Sequence, residues 1–385
     1  MLKNLSPLAL GLSAATSLMC LSLTASAETE FKREIFTVEK AIPPGPNVFV
    51  NEASWDGASK IHVYGQEDLS YKGELALGLT SQIVSSSDGK QVYALSHYMK
   101  RYTYGPVESA LQIFDVATLT PIKEIIIPNK AVQAIGMSGL IEKSADDHYV
   151  YIQNATPATS VTIVDITKGE VLPELPVPGC YGIFPAEKGN KFSTLCGTGK
   201  IKTFTMKNGK YSSADSEKVF DVDNDALYVH AQRAKDGKLI FTSFNGNLYV
   251  VDDSGESAKL LETIEVAKGV EGNWAPGGYQ VTAYNAPTDT LFMIMHPDAY
   301  EGSHKDGSKE IWAYNLKTRK LVSRSPAENL VAISVNQEKT PTVFGSNEED
   351  ETVDEFTVTD PEKFVLSKTA SDDRASWTTF LTVDK

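Results

Sequence analysis

The chain is poor in cysteine, tryptophan and basic residues. Of its 385 residues three are Cys and four are Trp, and 36 Lys and Arg stand against 50 Asp and Glu, a formal charge of −14. So few thiols exclude a disulfide-stapled miniature fold, and no cysteine has partners at metal-ligand spacing. The acidic balance argues against nucleic acid and against an anionic membrane as partners. Common catalytic signatures are missing too: there is no Gly-x-Ser-x-Gly elbow, no phosphate loop and no His-Glu-x-x-His helix. His62, His97, His148, His230, His296 and His304 are scattered, with no pair at zinc spacing. Asp221-x-Asp223-x-Asp225 opens like a calcium loop, but Ala226 replaces the required glycine and Gln232 the bidentate Glu. Beyond the N-terminus no amphipathic helical run is visible.

The long apolar stretch lies at that N-terminus. Lys3 gives a positive start, Leu8 to Leu23 is mostly apolar, and Ala25-Ser26-Ala27 before Glu28 fits the small-residue cleavage pattern of an export signal. It is too short and too broken by serine to span a bilayer comfortably. The expectation is a chain cleaved after Ala27 and exported, most simply to a bacterial periplasm. Loss of residues 1–27 removes Lys3 and no acid, moving the formal charge from −14 to −15. Residues 28–45, running into Pro43-Pro44-Gly45-Pro46, read as an extended lead-in.

What the rest of the chain has is a repeat. Seven copies of one phrase, an alternating apolar strand followed by a turn and a second strand, begin at Val63-Tyr64-Gly65, Ile113-Phe114-Asp115, Ile163-Val164-Asp165, Thr203-Phe204-Thr205, Val250-Val251-Asp252, Trp312-Ala313-Tyr314 and Glu355-Phe356-Thr357. A second phrase alternates with it: Ser87-Asp88-Gly89-Lys90, Ser144-Ala145-Asp146-Asp147, Lys235-Asp236-Gly237-Lys238 and Pro287-Thr288-Asp289, each leading into a β-rich run. Asp-Gly supplies the positive φ of a tight hairpin. A period of about 40–50 residues with several strands per unit is the mark of a β-propeller, whose units bury their faces only by stacking. The prediction is an all-β, seven-bladed propeller of four-stranded antiparallel blades over residues 46–385.

Export leaves two cysteines, Cys180 and Cys196, separated by 16 residues and placed where two neighbouring strands of one blade would meet. A disulfide is predicted, stabilising by about 3 kcal/mol on loop entropy. Two buried free thiols are the alternative.

Several longer stretches are distinctive in combination. They are Tyr151-Ile152-Gln153-Asn154-Ala155-Thr156-Pro157-Ala158-Thr159-Ser160, Gly179-Cys180-Tyr181 with Cys196-Gly197, Asn273-Trp274-Ala275-Pro276-Gly277-Gly278-Tyr279, and Met295-His296-Pro297-Asp298 with Glu301-Gly302-Ser303-His304-Lys305. In this order they resemble the heavy subunit of periplasmic quinoprotein amine dehydrogenases, the methylamine and aromatic amine dehydrogenases. The His-Pro-Asp and Asn-Ala-Thr-Pro-Ala stretches look more like the aromatic-amine branch. The resemblance runs from about Val48 to Leu330 and thins beyond Asn329. There Thr340-Pro341-Thr342-Val343-Phe344 makes an awkward strand, and the closure of the last blade is not readable.

The resemblance implies a cofactor-free propeller subunit. A small cysteine-rich light subunit would carry tryptophan tryptophylquinone and the catalytic base. A primary amine would be oxidised to aldehyde and ammonia, with electrons passing to a cupredoxin, in an assembly of two heavy and two light chains. Trp55 stands where that family places an aromatic residue at the mouth of the substrate channel; packing beneath a loop is the alternative. The stretch holding His97, Tyr98, Arg101 and Tyr104 suits a light-subunit docking loop, since Tyr and Arg dominate interface hot spots. His296, Asp298 and His304 are further docking candidates, or else cap and pin loops. Two other classes stay open: a self-contained propeller enzyme of lactonase or quinoprotein type, which needs carboxylates and His around a central metal, and a non-enzymatic interaction propeller.

Overall fold

In the computed structural model, residues 38–102, 104–207, 210–360 and 363–384 are described. The export signal expected at residues 1–27 lies outside them. Seven antiparallel sheets follow one another along the chain. Blade 1 holds Asn47–Glu52, Lys60–Gly65 and Tyr71–Ala76, and blade 2 holds Leu79–Ser85, Gln91–Met99, Val107–Asp115 and Thr120–Ile127. Blade 3 has Ile141–Lys143, Tyr149–Asn154 and Ser160–Asp165, with an outer edge split into Glu170–Val171 and Leu175–Pro176 around Pro173. Blade 4 is Cys180–Pro185, Lys191–Cys196, Ile201–Lys207 and Lys210–Asp215; blade 5 is Leu227–Arg233, Leu239–Ser243, Asn247–Asp252 and Lys259–Glu265. Blade 6 places Ala275–Pro276 and Thr282–Asn285 beside Thr290–His296, Glu310–Asn315 and Lys320–Pro326. Blade 7 is Leu330–Val335, Thr342–Asn347, Thr352–Asp360 and Val365–Asp372.

Every copy of the first sequence phrase falls on the third strand of its blade, and every copy of the second on the turn between first and second strands. The reason is burial on both sides. Alternate side chains of one strand face opposite neighbours: Phe49 enters the core shared with blade 2, while Val48 and Val50 enter the core shared with blade 7. Seven apolar clusters result, one per blade junction, and no blade has a solvated face to relax its pattern. The outermost strands are the exception, and their burial patterns are mostly exposed.

In five blades the third and outermost strands slip register within the repeated phrase, at Val63/Tyr64, Ile113/Phe114, Val250/Val251, Ala313/Tyr314 and Glu355/Phe356. Each slip leaves one outer residue unpaired, namely Lys72, Ile122, Leu261, Val322 or Thr369. These β-bulges push three apolar side chains, Ile122, Leu261 and Val322, out into water.

Leu381–Val383 closes the ring. It pairs antiparallel with Asn47–Glu52 and becomes the innermost strand of blade 1, joining the two ends of the fold. Pro341 immediately precedes the paired residues of Thr342–Asn347, so its missing N–H breaks no ladder bond, and Val343 and Phe344 are fully buried. Cys180 and Cys196 lie directly opposite each other on the first two strands of blade 4 and are disulfide-bonded.

Buried polar side chains staple the inner strands across junctions. Asn51 Nδ2 donates to the Ser81 carbonyl at 2.9 Å, Gln82 Nε2 to those of Ala134 and Ile135, and Gln280 Nε2 to those of Ile333 and Leu381. The connector from blade 2 to blade 3 goes further. Its Gly136 carbonyl accepts from Thr379 Oγ1, its Gly139 carbonyl accepts from the Ile183 amide in blade 4, and Ser138 Oγ lies 2.7 Å from His230 Nδ1 in blade 5. A segment bonded to so many blades must cross the mouth of the central channel.

Candidate docking face

One face of the ring carries the tight turns joining first to second and third to fourth strands. The opposite face, here the loop face, carries the loops between second and third strands and the connectors between blades. All the site residues proposed from the sequence, apart from the disulfide pair, belong to the loop face or to strand ends entering it.

They do not share one environment. Trp55 is 57% exposed on a loop held by its neighbours: the Thr80 amide donates to the Ser54 carbonyl, and the amides of Ser54 and Gly57 are taken by Ser59 Oγ and Ser54 Oγ. Its indole is therefore presented and not tucked beneath the loop. Arg101 stacks over the Tyr104 ring at 5.2 Å, both side chains exposed, while Tyr98 turns inward and donates to Gln112 Oε1 at 2.9 Å. His97 is buried. Its Nδ1 meets Ser109 Oγ at 2.9 Å and its Nε2 the Val132 carbonyl at 3.2 Å, and burial holds its imidazole below the ordinary value. A neutral His97 fixes the start of the connector crossing the channel and offers no surface to a partner.

His296 is also buried, with Nδ1 3.0 Å from the Pro297 carbonyl and Nε2 unpartnered among the described residues. Asp298, exposed at φ +56°, forms no hydrogen bond or ion pair among them. His304 stacks on Phe244 with centroids 4.1 Å apart and planes within 4°. Burial, and then the neighbouring Lys305, hold its imidazole below the ordinary value. The long loop of blade 6 is anchored by the Gly277-Gly278 pair. A Cβ at Gly277 would meet the Asp306 carbonyl at 2.3 Å, and one at Gly278, where φ is +118°, the Val331 carbonyl at 2.4 Å. Through these glycines the Gly278 amide reaches the His304 carbonyl.

Tyr102 belongs to the docking loop picked out in the sequence, while sequence reasoning passed over two loop-face aromatics, Tyr300 and Trp377. Among the described residues the exposed aromatic side chains are Trp55, Tyr102, Tyr104, Tyr300 and Trp377, and every one is on this face. They come from blades 6, 1 and 2 and from the connector between blades 7 and 1, one continuous arc. The loops of blades 3, 4 and 5 bring none. Tyr300 sits between two of the distinctive stretches, a signal available in the sequence; Trp377 lies in the divergent C-terminal region.

The calcium-like stretch is an ordinary capped turn, with Asp221 Oδ1 accepting from the amides of Asp223 and Asn224. Among the described residues no three His, Cys, Asp or Glu side chains gather as a metal site.

The arrangement has solved counterparts. A periplasmic gluconolactonase of Pseudomonas aeruginosa superposes with TM-score 0.61 at 13% identity, covering 88% of this chain and 99% of that one. A putative 6-phosphogluconolactonase of Bacteroides fragilis gives 0.61 at 12%, covering 91% and 100%. Identities this low speak for the fold alone. In sequence, the methylamine dehydrogenase heavy chain of Methylorubrum extorquens is 26% identical over 273 residues, 69% of this chain and 66% of that relative. The namesake of Methylobacillus flagellatus is 24% identical over 284 residues, 72% and 70% of the two chains. The family model described as methylamine dehydrogenase heavy chain matches residues 47–369, from the first strand of blade 1 into the last strand of blade 7. This chain belongs to the methylamine dehydrogenase heavy chain family.

Proposed function

We propose that this chain is the cofactor-free heavy subunit of a periplasmic amine dehydrogenase, and that its loop face seats a small quinone-bearing light subunit. The observation that carries the reading is the one-sided display of aromatics. Five exposed Trp and Tyr side chains share one arc, with Arg101 stacked among them. Trp, Tyr and Arg are the residue types that carry binding energy at protein interfaces. Family membership supplies the partner class. The disulfide uses both cysteines of the mature chain, so the cysteine-rich chain must be another one.

The partner's tryptophan tryptophylquinone would supply the oxidation of a primary amine to aldehyde and ammonia, with electrons leaving to a cupredoxin. This chain positions and encloses. Arg101 and Tyr104 form one presented unit on blade 2, His97 holds the strand end beneath them, and Asp298 leaves an uncompensated carboxylate at the blade 6 end of the arc. Trp55 stands between these ends and gives the substrate passage a π face that suits an aromatic or cationic amine. Two heavy and two light chains complete the assembly.

The test is a pull-down of the tagged mature chain from its native periplasm with an absorption spectrum of what accompanies it. A small cysteine-rich chain with visible quinone absorbance, bleached by a primary amine, is the expected outcome. Bleaching by tyramine against methylamine identifies the substrate branch. A lone, colourless propeller would overturn the reading.

A further inference from the structure

A groove of about 750 Å³ opens on the loop face between blades 5 and 6, at the blade 6 end of the aromatic arc. Aromatic side chains wall it: Phe244 from blade 5, Trp274 from the connector, and Tyr300 and His304 from blade 6. These walls are held in place. Phe244 is clamped between the edge of Tyr228, 4.7 Å away, and the stacked His304 ring. Trp274 donates its indole N–H to the Glu271 carbonyl at 2.9 Å, and Tyr300 donates to Asp306 Oδ2 at 2.9 Å. The groove and its aromatic positions are thus preformed, as a binding site requires.

Its charge is one-sided. Neither Lys nor Arg lines it, while the carboxylates of Asp223 and Glu301 do, and neither carboxylate is bonded or paired among the described residues. The Arg324 guanidinium stands over the Trp274 ring at 4.5 Å and is paired at two points with Glu310, at 2.7 and 3.0 Å. His304 adds no positive charge at neutral pH, because burial and Lys305 both disfavour its protonated form. Aromatic rings beside free carboxylates attract a cation bearing a flat apolar body.

We infer that the groove between blades 5 and 6 is a binding site for an organic cation with an aromatic body, held by Phe244, Trp274 and Tyr300 and drawn in by Asp223 and Glu301. The site shares Tyr300 with the blade 6 end of the aromatic arc, but its argument does not rest on the subunit reading. It gives the loop face a second function, collection of cations beside whatever docks there.

The probe is benzyltrimethylammonium, which has no N–H and cannot condense with a quinone, and it is titrated into the lone chain. Calorimetric titration is expected to give saturable binding, with the Asp223→Asn/Glu301→Gln double variant weaker by about tenfold. Both residues lie at the surface, so the variant keeps its fold. The uncharged benzyl alcohol is expected to bind more weakly than the cation, and the Trp274 indole N–H resonance to shift on addition of the cation only. Equal binding of the alcohol, an unchanged double variant or the absence of saturable heat would each overturn the inference. A chain that binds the cation yet recruits no light subunit would sink the subunit reading and leave the groove standing.

Discussion

Asn47 and Asp384, 337 residues apart, hold each other by two hydrogen bonds: the Asn47 amide donates to Asp384 Oδ1 at 2.6 Å and Asn47 Nδ2 to Oδ2 at 2.7 Å. Gln66 Nε2 adds a bond to the Asp384 carbonyl at 2.9 Å. The pair lies where the short closing strand ends, so it fastens the ring.

Asp384→Ala leaves buried donors on Asn47 without acceptors. A loss of about 2–3 kcal/mol is expected, read as a lower denaturant midpoint. Asn315→Ala, at a blade 6 turn away from the closure, serves as the comparison. Equal losses would argue that the closure is no weak point of the ring.

Removing the Cys180–Cys196 bridge by a double Cys→Ser change is expected to cost about 3 kcal/mol through the freed loop. Reduction of the wild-type protein should produce the same downward shift in melting temperature. An unshifted melting curve in both would refute the entropic account.

Glu142 faces inward from the first strand of blade 3, half-buried by area yet enclosed by protein, and burial pushes its carboxyl up to about 7. The Gly139 amide, Lys143 and Arg233 oppose this more weakly. An unfolded Glu titrates near ~4.3, so the folded chain holds this proton more tightly. Stability is then lost as pH rises between these two values and levels off above. Glu142→Gln is expected to exceed wild type by ~1–3 kcal/mol near pH 8 and to match it near pH 4. His230 acts in the opposite sense. Burial lowers its imidazole to about 4, so its contribution falls away as pH drops from the usual ~6.5 towards that value. Thermal denaturation of the Glu142→Gln variant against wild type across that range checks the sign, and a gap independent of pH would contradict it.

Arg101→Ala and Tyr104→Ala are each expected to weaken light-subunit binding by about tenfold or more. Thr198→Ala, on the bare loop of blade 4, should leave binding unchanged. Surface-plasmon dissociation rates on the assembled pair distinguish these, and equal effects at all three positions would dissolve the arc.

On the proposed subunit reading, Trp55→Ala in the assembled enzyme is expected to change the ratio of kcat/KM for tyramine over methylamine, since only the larger amine would need the passage wall. A uniform drop for both substrates would assign Trp55 to docking alone.

The blades were legible because each strand is buried on both sides, so Ile113-Phe114-Asp115 and its six companions keep a pattern that water does not dilute. The turns were legible for local reasons, such as the positive φ at Gly89 and Gly237. Closure by Leu381-Thr382-Val383 was not. Three residues carry too little periodicity, and their partner strand lies at the other end of the chain. The docking residues were half legible. The sequence marked the loop of Arg101 and Tyr104, but whether His97 and His296 point out or in depends on strand register and on the Ser109 and Val132 groups that receive the His97 ring. That these aromatics form one arc was not legible, since Trp55, Tyr300 and Trp377 come together only when the ring closes.

In the proposed assembly of two heavy and two light chains, the recurring bulges govern how one heavy chain meets the other. A flat outermost strand would offer its unused amides and carbonyls as a template, and two copies could zip into one continuous sheet. With an extra residue twisting that edge in five blades, such zipping is frustrated around most of the circumference. In that assembly, contact between heavy chains would fall to exposed side chains such as Ile122 and Ile126. Amide exchange along the outermost strands is accordingly expected to stay as fast in the assembled enzyme as in the lone chain.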